Sequence, residues 1–175
     1  SFGHPVTDFE PLAEAVSTYA SRAAEKLRKQ SSFAGLVHVI AHTSPFRPGP
    51  RWARSLSVPL RRPTADTAEI TRAAVMGLRL MFEPGYMLAK AGVMLCDLSS
   101  AVHQQSELDL EDEASGRDRS ELMKAMDQLN TRFGRGTLQV AAMGQQNQLQ
   151  AWQMRQERRT PHYTTDWRQI PIARA

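Results

Sequence analysis

The stretch GYMLAKAGVMLCDL, residues 85–98, decides the fold class. Two sets of residues alternate along it: Ala89, Ala91, Val93 and Leu95 on one side, and Lys90, Gly92, Met94 and Cys96 on the other. A period of two residues is typical of a β-strand with one buried face. We therefore predict a strand over Tyr86–Leu98, with the first set facing the core and the second set facing outward.

Two helices are predicted before this strand. In the first, Thr7 and Glu10 have the spacing of a capping box. Its apolar residues then recur every three or four positions, as expected for one buried helix face: Leu12, Val16, Tyr19, Ala23 and Leu27. The second helix has Asp66 as its N-cap, Glu69 three residues later, and a stop at Glu83-Pro-Gly85.

Three more strands complete the pattern, over Ser1–Val6, Phe33–Thr43 and Arg54–Leu60. The connection SPFRPGP, residues 44–50, cannot continue a strand because three prolines remove backbone donors. The resulting order βαββαβ predicts the α+β class. We expect a four-stranded sheet with both helices on one face and the other face open.

The open face is predicted to be polar, basic and poor in carboxylates, which suits a phosphodiester backbone. His38, His42, Ser55, Ser57 and Lys90 would lie on it, beside Arg47, Arg51 and Arg54. Lys90 is the sharpest candidate, since the small side chains of Ala89 and Ala91 leave its ammonium group room to approach a phosphate. The predicted DNA-binding residues are Lys90, Arg51, Arg54, His42, Ser44 and Ser57.

Charge divides the chain into three parts. Residues 1–98 hold 12 Lys and Arg against 8 Asp and Glu, residues 99–130 hold 3 against 8, and residues 131–175 hold 7 against 2. We predict a DNA-binding domain at 1–98, an acidic linker at 99–116, and a small, partly irregular C-terminal region at 117–175. In the last region, Arg119–Phe133 is predicted to be an amphipathic helix with Leu122, Met126 and Leu129 on one side. The acidic part avoids DNA, so it is either a protein-docking peptide or a solvated linker.

No catalytic or metal-binding constellation is visible in the sequence. Two-metal catalysis needs clustered carboxylates, and the acidic residues here lie in the linker or singly on helices. His38 and His42 lack a third metal ligand, and Cys96 is the only cysteine, which predicts a reducing compartment. No apolar run approaches the roughly 18 residues that span a membrane, so we expect a soluble protein.

Five strings, in register across nearly the whole chain, resemble the UmuC-type Y-family translesion DNA polymerases, the catalytic subunits of DNA polymerase V and their plasmid-borne relatives. The strings are Ala20–Arg28, Thr43–Phe46, Pro63–Thr67, Tyr86–Leu95 and Pro161–Trp167. The resemblance implies that the first hundred residues are the little finger, the additional DNA-grip domain of that family.

The same resemblance implies a non-catalytic C-terminal part of an error-prone, DNA-directed DNA polymerase of the bacterial cytoplasm, serving the SOS response to DNA damage. The catalytic core, with its Mg²⁺, is then expected upstream of Ser1, and no cofactor is expected in this chain. UmuD′ and RecA are candidate partners that no residue pattern locates.

Gln105, Leu108 and Leu110 form the pattern Q-x-x-L-x-L within the acidic linker. It resembles the peptide by which bacterial polymerases dock to the β sliding clamp. The family's peptide often has leucine at the second position and an aromatic residue or leucine directly after its leucine, whereas this chain has Ser106 and Asp109. We therefore expect weak docking.

Two other classes of binding module are alternatives to a DNA-binding domain. An RNA-binding sheet would carry the stacking aromatics of the pattern K/R-G-F/Y-G/A-F-V-x-F/Y, which the sequence lacks. A protein-interaction domain without DNA contact remains the alternative. Salt-dependent binding of duplex DNA separates it from a phosphate grip.

Overall fold

The computed structural model describes residues 1–100, 119–144, 150, 152–154 and 159–170. It confirms the α+β class. The elements, in chain order, are α1 (Phe9–Lys29), β1 (Ser32–Thr43), β2 (Ala53–Thr64), α2 (Thr67–Met81), β3 (Leu88–Ser100) and α3 (Ser120–Phe133). Two short 3-10 helices follow, Ala141–Met143 and Trp167–Gln169.

Among the described residues the sheet has three antiparallel strands in the order β2-β1-β3, with β1 central. The predicted first strand, Ser1–Val6, is reduced to one isolated bridge between Val6 and Leu88. Val6 donates to Leu88 O at 2.8 Å, and Leu88 donates back to Val6 O at 2.9 Å.

A β-bulge at Ala89 shifts the predicted alternation in β3. His42 pairs with Lys90, but the next residue, Thr43, pairs with Leu88, so Ala89 is the extra residue. Leu88 is consequently buried and faces the core, a position that the sequence pattern assigned to Ala89. Beyond the bulge the prediction is confirmed, since Ala91 belongs to the core while Lys90 is exposed.

Helices α1 and α2 cover the face of the sheet that carries Val37, Val39 and Val58. Glycine at position 77 lets α2 approach the sheet closely, because a Cβ there would lie 2.9 Å from Cγ2 of Val58. Fully buried leucine and isoleucine side chains from both helices fill the layer between helices and sheet: Leu12 from α1, Ile70 and Leu78 from α2. The other face of the sheet carries neither helix.

The two predicted helix starts have different outcomes. Asp66 caps α2 as predicted, because its Oδ1 accepts from the N–H groups of Ala68 at 2.7 Å and Glu69 at 3.0 Å. The prediction of a capping box that begins at Thr7 is wrong. The N-cap of α1 is Asp8, whose side chain makes no capping bond among the described residues.

The packed side of α3 is rotated from the predicted one and shares with it only Met126, which is half-buried and lines a cavity against α1. Met123 is its buried residue, whereas Leu122 is 60% exposed and Leu129 is 38% exposed. Polar anchors to α1 and α2 fix the rotation of α3 and override its apolar periodicity. Arg28 of α1 binds Asp127, and the N–H of Thr67 in α2 donates to the sulfur of Met123, which lies on the same side of α3.

Candidate nucleic-acid interface

The open face of the sheet is organised in rows by the pairing of the three strands. His42 of β1 stands between Ala53 of β2 and Lys90 of β3. The next three rows along β1, each given in the strand order β2, β1, β3, are Ser55, Ile40 and Gly92; then Ser57, His38 and Met94; then Pro59, Leu36 and Cys96. None of these paired positions on the described face is Asp or Glu.

Lys90 and His42 form the basic end of this face. Lys90 is exposed, and its neighbour across the strand pair is His42. The ring of His42 donates through Nδ1–H to Thr43 O at 2.9 Å, since a carbonyl can only accept. That bond fixes the tautomer and orientation of the ring and leaves Nε2 available for a ligand.

Ser57 lies two rows further along the same face. Its Oγ is 2.8 Å from Nδ1 of His38, so the hydroxyl and the ring hold each other in place. His38 was placed on the open face by the sequence pattern but was not among the predicted DNA-binding residues. Its contact with Ser57 follows from the β1–β2 register, which strand periodicity alone does not supply.

The loop between β1 and β2 adjoins the basic end, and its base is fastened on both sides. Thr43 donates to Trp52 O at 2.9 Å, and Trp52 donates to Thr43 Oγ1 at 3.0 Å. The buried Trp52 ring also donates through Nε1 to Glu83 at 3.1 Å and packs against Tyr86, with 5.9 Å between ring centroids. These contacts therefore fix both ends of the loop relative to the sheet.

Ser44 and Arg51 lie within this loop. The Ser44 hydroxyl accepts from the N–H of Phe46 at 3.2 Å, which shapes the turn. Arg51 is exposed, and its Nη2 donates to Pro45 O at 3.4 Å. Both residues therefore lie beside the basic end of the open face.

Arg54 has a different position from the predicted one. It was treated as a loop residue framing the open face, but β2 already begins at Ala53. Arg54 pairs with Ala41, whose side chain belongs to the core, so strand alternation places Arg54 on the helix-covered side. The side chain is exposed there, and the structure does not bring it together with His42 and Lys90.

The far end of the open face is apolar, which the sequence reasoning did not single out. Its paired positions are Leu36, Pro59 and Cys96, next to Met94, which is 59% exposed. The signal was present in the sequence, because these residues occupy the outward positions of the predicted strands. The face thus changes from basic to apolar along its length.

The predicted clamp-binding residues Gln105, Leu108 and Leu110 lie outside the described residues. Within the parts of the chain that the structure describes, no three side chains of His, Cys, Asp and Glu converge as metal ligands would. No helix in those parts is long and apolar enough to cross a bilayer.

In the described residues, fold and site together define a small α+β domain with a three-stranded sheet, two helices on one face of it and a basic end on the other face. The chain belongs to the impB/mucB/samB family: the model described as impB/mucB/samB family C-terminal domain matches residues 1–110. A second model, described as a domain of unknown function (DUF4113), matches residues 120–173.

Curated relatives agree with this assignment. Protein UmuC of Salmonella typhimurium is 40% identical over 94% of this chain, and Protein SamB of the same organism is 40% identical over 99%. Protein MucB of Escherichia coli is 37% identical over 99%. The matches span only 38% to 40% of the length of these relatives. The resemblance inferred from the five strings is confirmed.

Proposed function

We propose that this chain is the DNA-gripping, non-catalytic part of an error-prone translesion DNA polymerase of the bacterial SOS response. Family membership supports the polymerase class. The observation that carries the DNA-binding proposal is the basic end of the open face, where Lys90 and His42 stand side by side next to a rigid arginine-bearing loop. No carboxylate occupies a paired position on that described face, so the rows near Lys90 and His42 present no negative charge to a phosphate.

Each residue has a defined task in this proposal. The Lys90 ammonium contacts phosphates in the groove, the His42 ring donates to a phosphate through Nε2–H in its doubly protonated form, and the Ser57 hydroxyl extends that contact along the face. Arg51 and Ser44 bind from the loop, and Arg54 adds charge from the other side of β2. Because phosphate contacts carry no base information, the grip accepts any sequence, which synthesis past lesions requires.

A salt titration of duplex DNA binding tests the proposal. The complete 175-residue chain is titrated against two duplexes of unrelated sequence at several salt concentrations. A phosphate grip gives similar affinities for both duplexes and a steep, linear loss of log affinity with log salt concentration. Absence of binding at low salt would instead favour a protein-interaction domain, for which the exposed Met94 at the apolar end offers a contact.

A second proposal concerns the β sliding clamp, with Gln105, Leu108 and Leu110 as the docking residues. Two leucines buried in an apolar cleft contribute roughly 1.5–3 kcal/mol each. Ordering an extended peptide removes part of that gain, so we expect affinity on the order of micromolar. Replacing both leucines with alanine should abolish clamp binding in surface plasmon resonance while duplex affinity stays unchanged. Undiminished clamp binding by the double variant would place the docking site elsewhere.

Catalysis is not assigned to this chain. We expect no nucleotidyl transfer from it in a primer-extension assay containing Mg²⁺, because its described acidic residues do not converge. The proposed setting is the bacterial cytoplasm, and UmuD′ and RecA are the partners that the proposed polymerase role suggests. A pull-down of each with this chain tests whether either contacts it.

A further inference from the structure

The loop between β1 and β2 presents a bare aromatic ring at its tip. Phe46 is 95% exposed, the highest exposure among the large hydrophobic residues described. Leaving a phenylalanine in water forgoes roughly 1.5–3 kcal/mol of burial, so a ring held in this way is a candidate contact for a ligand.

The loop is ordered before any ligand arrives. Pro45, Pro48 and Pro50 restrict its backbone, and the Ser44 hydroxyl accepts from the N–H of Phe46. Arg51 closes the loop by donating to Pro45 O. A ring displayed on a stiff loop loses little conformational freedom on binding, which favours contact by stacking.

The surroundings of the ring indicate which ligand it fits. Residues 44–54 contain three arginines, Arg47, Arg51 and Arg54, and no Asp or Glu. Arg47 also lines a cavity of about 280 Å³ at the base of the same loop, together with Ser44 and Met87. An aromatic ring among arginines is the combination by which proteins bind single-stranded nucleic acid, the base stacking on the ring while the cations bind the phosphates.

We propose that Phe46 stacks on an unpaired base of single-stranded DNA that continues from the duplex held by the open face. The proposal rests on the DNA grip described above and adds a second class of substrate to it. The sheet binds duplex phosphates, and the loop binds one exposed base at the end of that duplex. Because every base has a π-face, the contact is independent of sequence.

Binding by the full chain to oligothymidylate and to a blunt duplex of equal length tests this contact. Phe46→Ala should weaken oligothymidylate binding by roughly 5- to 100-fold, the range of a base–aromatic stack, and leave blunt-duplex binding and its salt slope unchanged. Phe46→Trp should retain affinity and show fluorescence quenching on binding. Leu80→Ala is the matched control, because Leu80 is also an exposed apolar residue but belongs to α2 on the covered side.

The outcomes separate this contact from the grip itself. If the parent chain binds neither DNA, the proposed function fails. If the parent binds both and Phe46→Ala binds oligothymidylate as tightly as the parent, the stacking proposal is overturned and the grip stands. Equal weakening for both DNAs also overturns it, since stacking on an unpaired base acts on one of them only.

A second inference comes from the C-terminal strap, defined as the described residues 119–144, 150 and 152–154, which lies along the outer side of α1. Asp127 binds Arg28 near the C-terminal end of α1. Met143 lines a cavity together with Ser21, which lies in the middle of α1. Gly144 lies against Glu14, nearer the start of the helix. The strap therefore follows α1 from its last turn back toward its first.

Arg28 fastens the first end of the strap. Its Nε and Nη2 donate to the two carboxylate oxygens of Asp127, each at 2.7 Å, and its Nη1 donates to Ala65 O and Thr67 Oγ1, each at 2.8 Å. The Arg28 side chain is only 12% exposed. One guanidinium thus joins α1, the start of α2 and α3, with bidentate geometry toward the carboxylate.

Trp152 fastens the other end. Its ring is buried and meets the Tyr19 ring of α1 edge-on, with 5.9 Å between centroids. The next residue, Gln153, accepts through its carbonyl from the N–H of Gly3 at 3.0 Å. The strap thereby also reaches the segment that precedes α1.

We infer that the strap, which lies almost wholly within the region matched by the domain of unknown function, binds α1 of its own chain, with Arg28 as the residue that positions it. The strap contributes few buried residues of its own, so it depends on this contact for its place. Its function is to brace the outer side of α1 and the start of α2, behind the sheet that grips DNA.

Cleavage of the linker in the folded full chain tests this inference. A protease recognition sequence is inserted between Gly116 and Arg117, the protein is cut, and the pieces are followed by size-exclusion chromatography and native mass spectrometry. The two pieces should stay together. Arg28→Ala should weaken their association by roughly tenfold or more, as expected for the loss of charged hydrogen bonds.

Lys29→Ala is the matched control, because Lys29 directly follows Arg28 but forms only an exposed ion pair with Glu25, and its loss should leave the association unchanged. If circular dichroism shows that Arg28→Ala does not fold, Asp127→Asn makes the same test from the strap side. Separation of the parent pieces after cleavage overturns the inference. Association of the Arg28→Ala or Asp127→Asn pieces as tight as that of the parent removes this pair from the positioning role.

Discussion

Residues 1–100 and the C-terminal strap are held by different kinds of contact. The first region has a continuous apolar core between two helices and a sheet, with side chains such as Leu12 and Leu78 fully buried. Among the described residues, the buried contacts that hold the strap on that core include an arginine, a methionine and a tryptophan: Arg28, Met123 and Trp152. Because the contacts differ in kind, a substitution of a polar residue should detach the strap and leave the core folded.

The largest effect is expected from a cavity in the core. Leu12→Ala should lower the free energy of unfolding by about 2–5 kcal/mol, because the surrounding helices cannot collapse into the space. Urea unfolding followed by circular dichroism measures it. Leu80→Ala, at a position 71% exposed, should change the free energy by less than about 0.5 kcal/mol. Equal effects at the two positions would contradict the assignment of the core.

A smaller and local effect is expected at the anchor of the strap. Arg28→Ala should cost about 1–3 kcal/mol, since it leaves the Asp127 carboxylate partly buried without its partner. The loss should appear as a separate early transition in the fluorescence of Trp152, before the circular dichroism of the core changes. To remove the other tryptophan signals, Trp52 and Trp167 are replaced by phenylalanine in the parent chain and in the Arg28→Ala variant. A single cooperative transition at the same urea concentration in both would show that strap and core unfold together.

The smallest effect is expected from pH. Burial raises the pKa of the Tyr19 hydroxyl above its ordinary value of 10.0, and the Arg22 guanidinium partly offsets the shift. The native state therefore keeps this proton when the unfolded state has lost it, so stability present below pH 10 falls as pH rises further. Tyr19→Phe should show a shallower alkaline loss of stability than the parent in urea unfolding. An identical pH profile would mean that Tyr19 ionises freely in the native protein.

The two regions also differed in how far the sequence predicted them. In the core, strand alternation placed Val37 and Lys90 correctly, because burial on one face imposes a period of two. The Ala89 bulge and the reduced first strand were missed, since both arise from pairing between distant segments. In α3, the apolar pattern pointed to Leu122, but the Arg28–Asp127 pair decided the rotation, and no local pattern reveals a partner 99 residues away.

The site shows the same division. The pattern identified Lys90, His42 and Ser57 as outward residues of one face, and the register confirms that placement. Arg54 was misplaced because it was assigned to the loop beside the open face, although strand alternation puts it on the same side as Leu56, facing the helices. Phe46 was overlooked as a contact, since its exposure depends on the closure of the loop.

The central claim is that the open face grips DNA phosphates through Lys90, and a comparison of two lysine variants tests it most directly. Lys90→Ala and Lys26→Ala remove the same charge, but Lys26 is an exposed residue of α1, away from the open face. Duplex affinity is measured by fluorescence anisotropy across a salt series. We expect Lys90→Ala to lower affinity equally for unrelated sequences and to reduce the salt slope by about one unit, with Lys26→Ala close to the parent. Identical salt slopes for the two variants, or a loss confined to one DNA sequence, would contradict the claim.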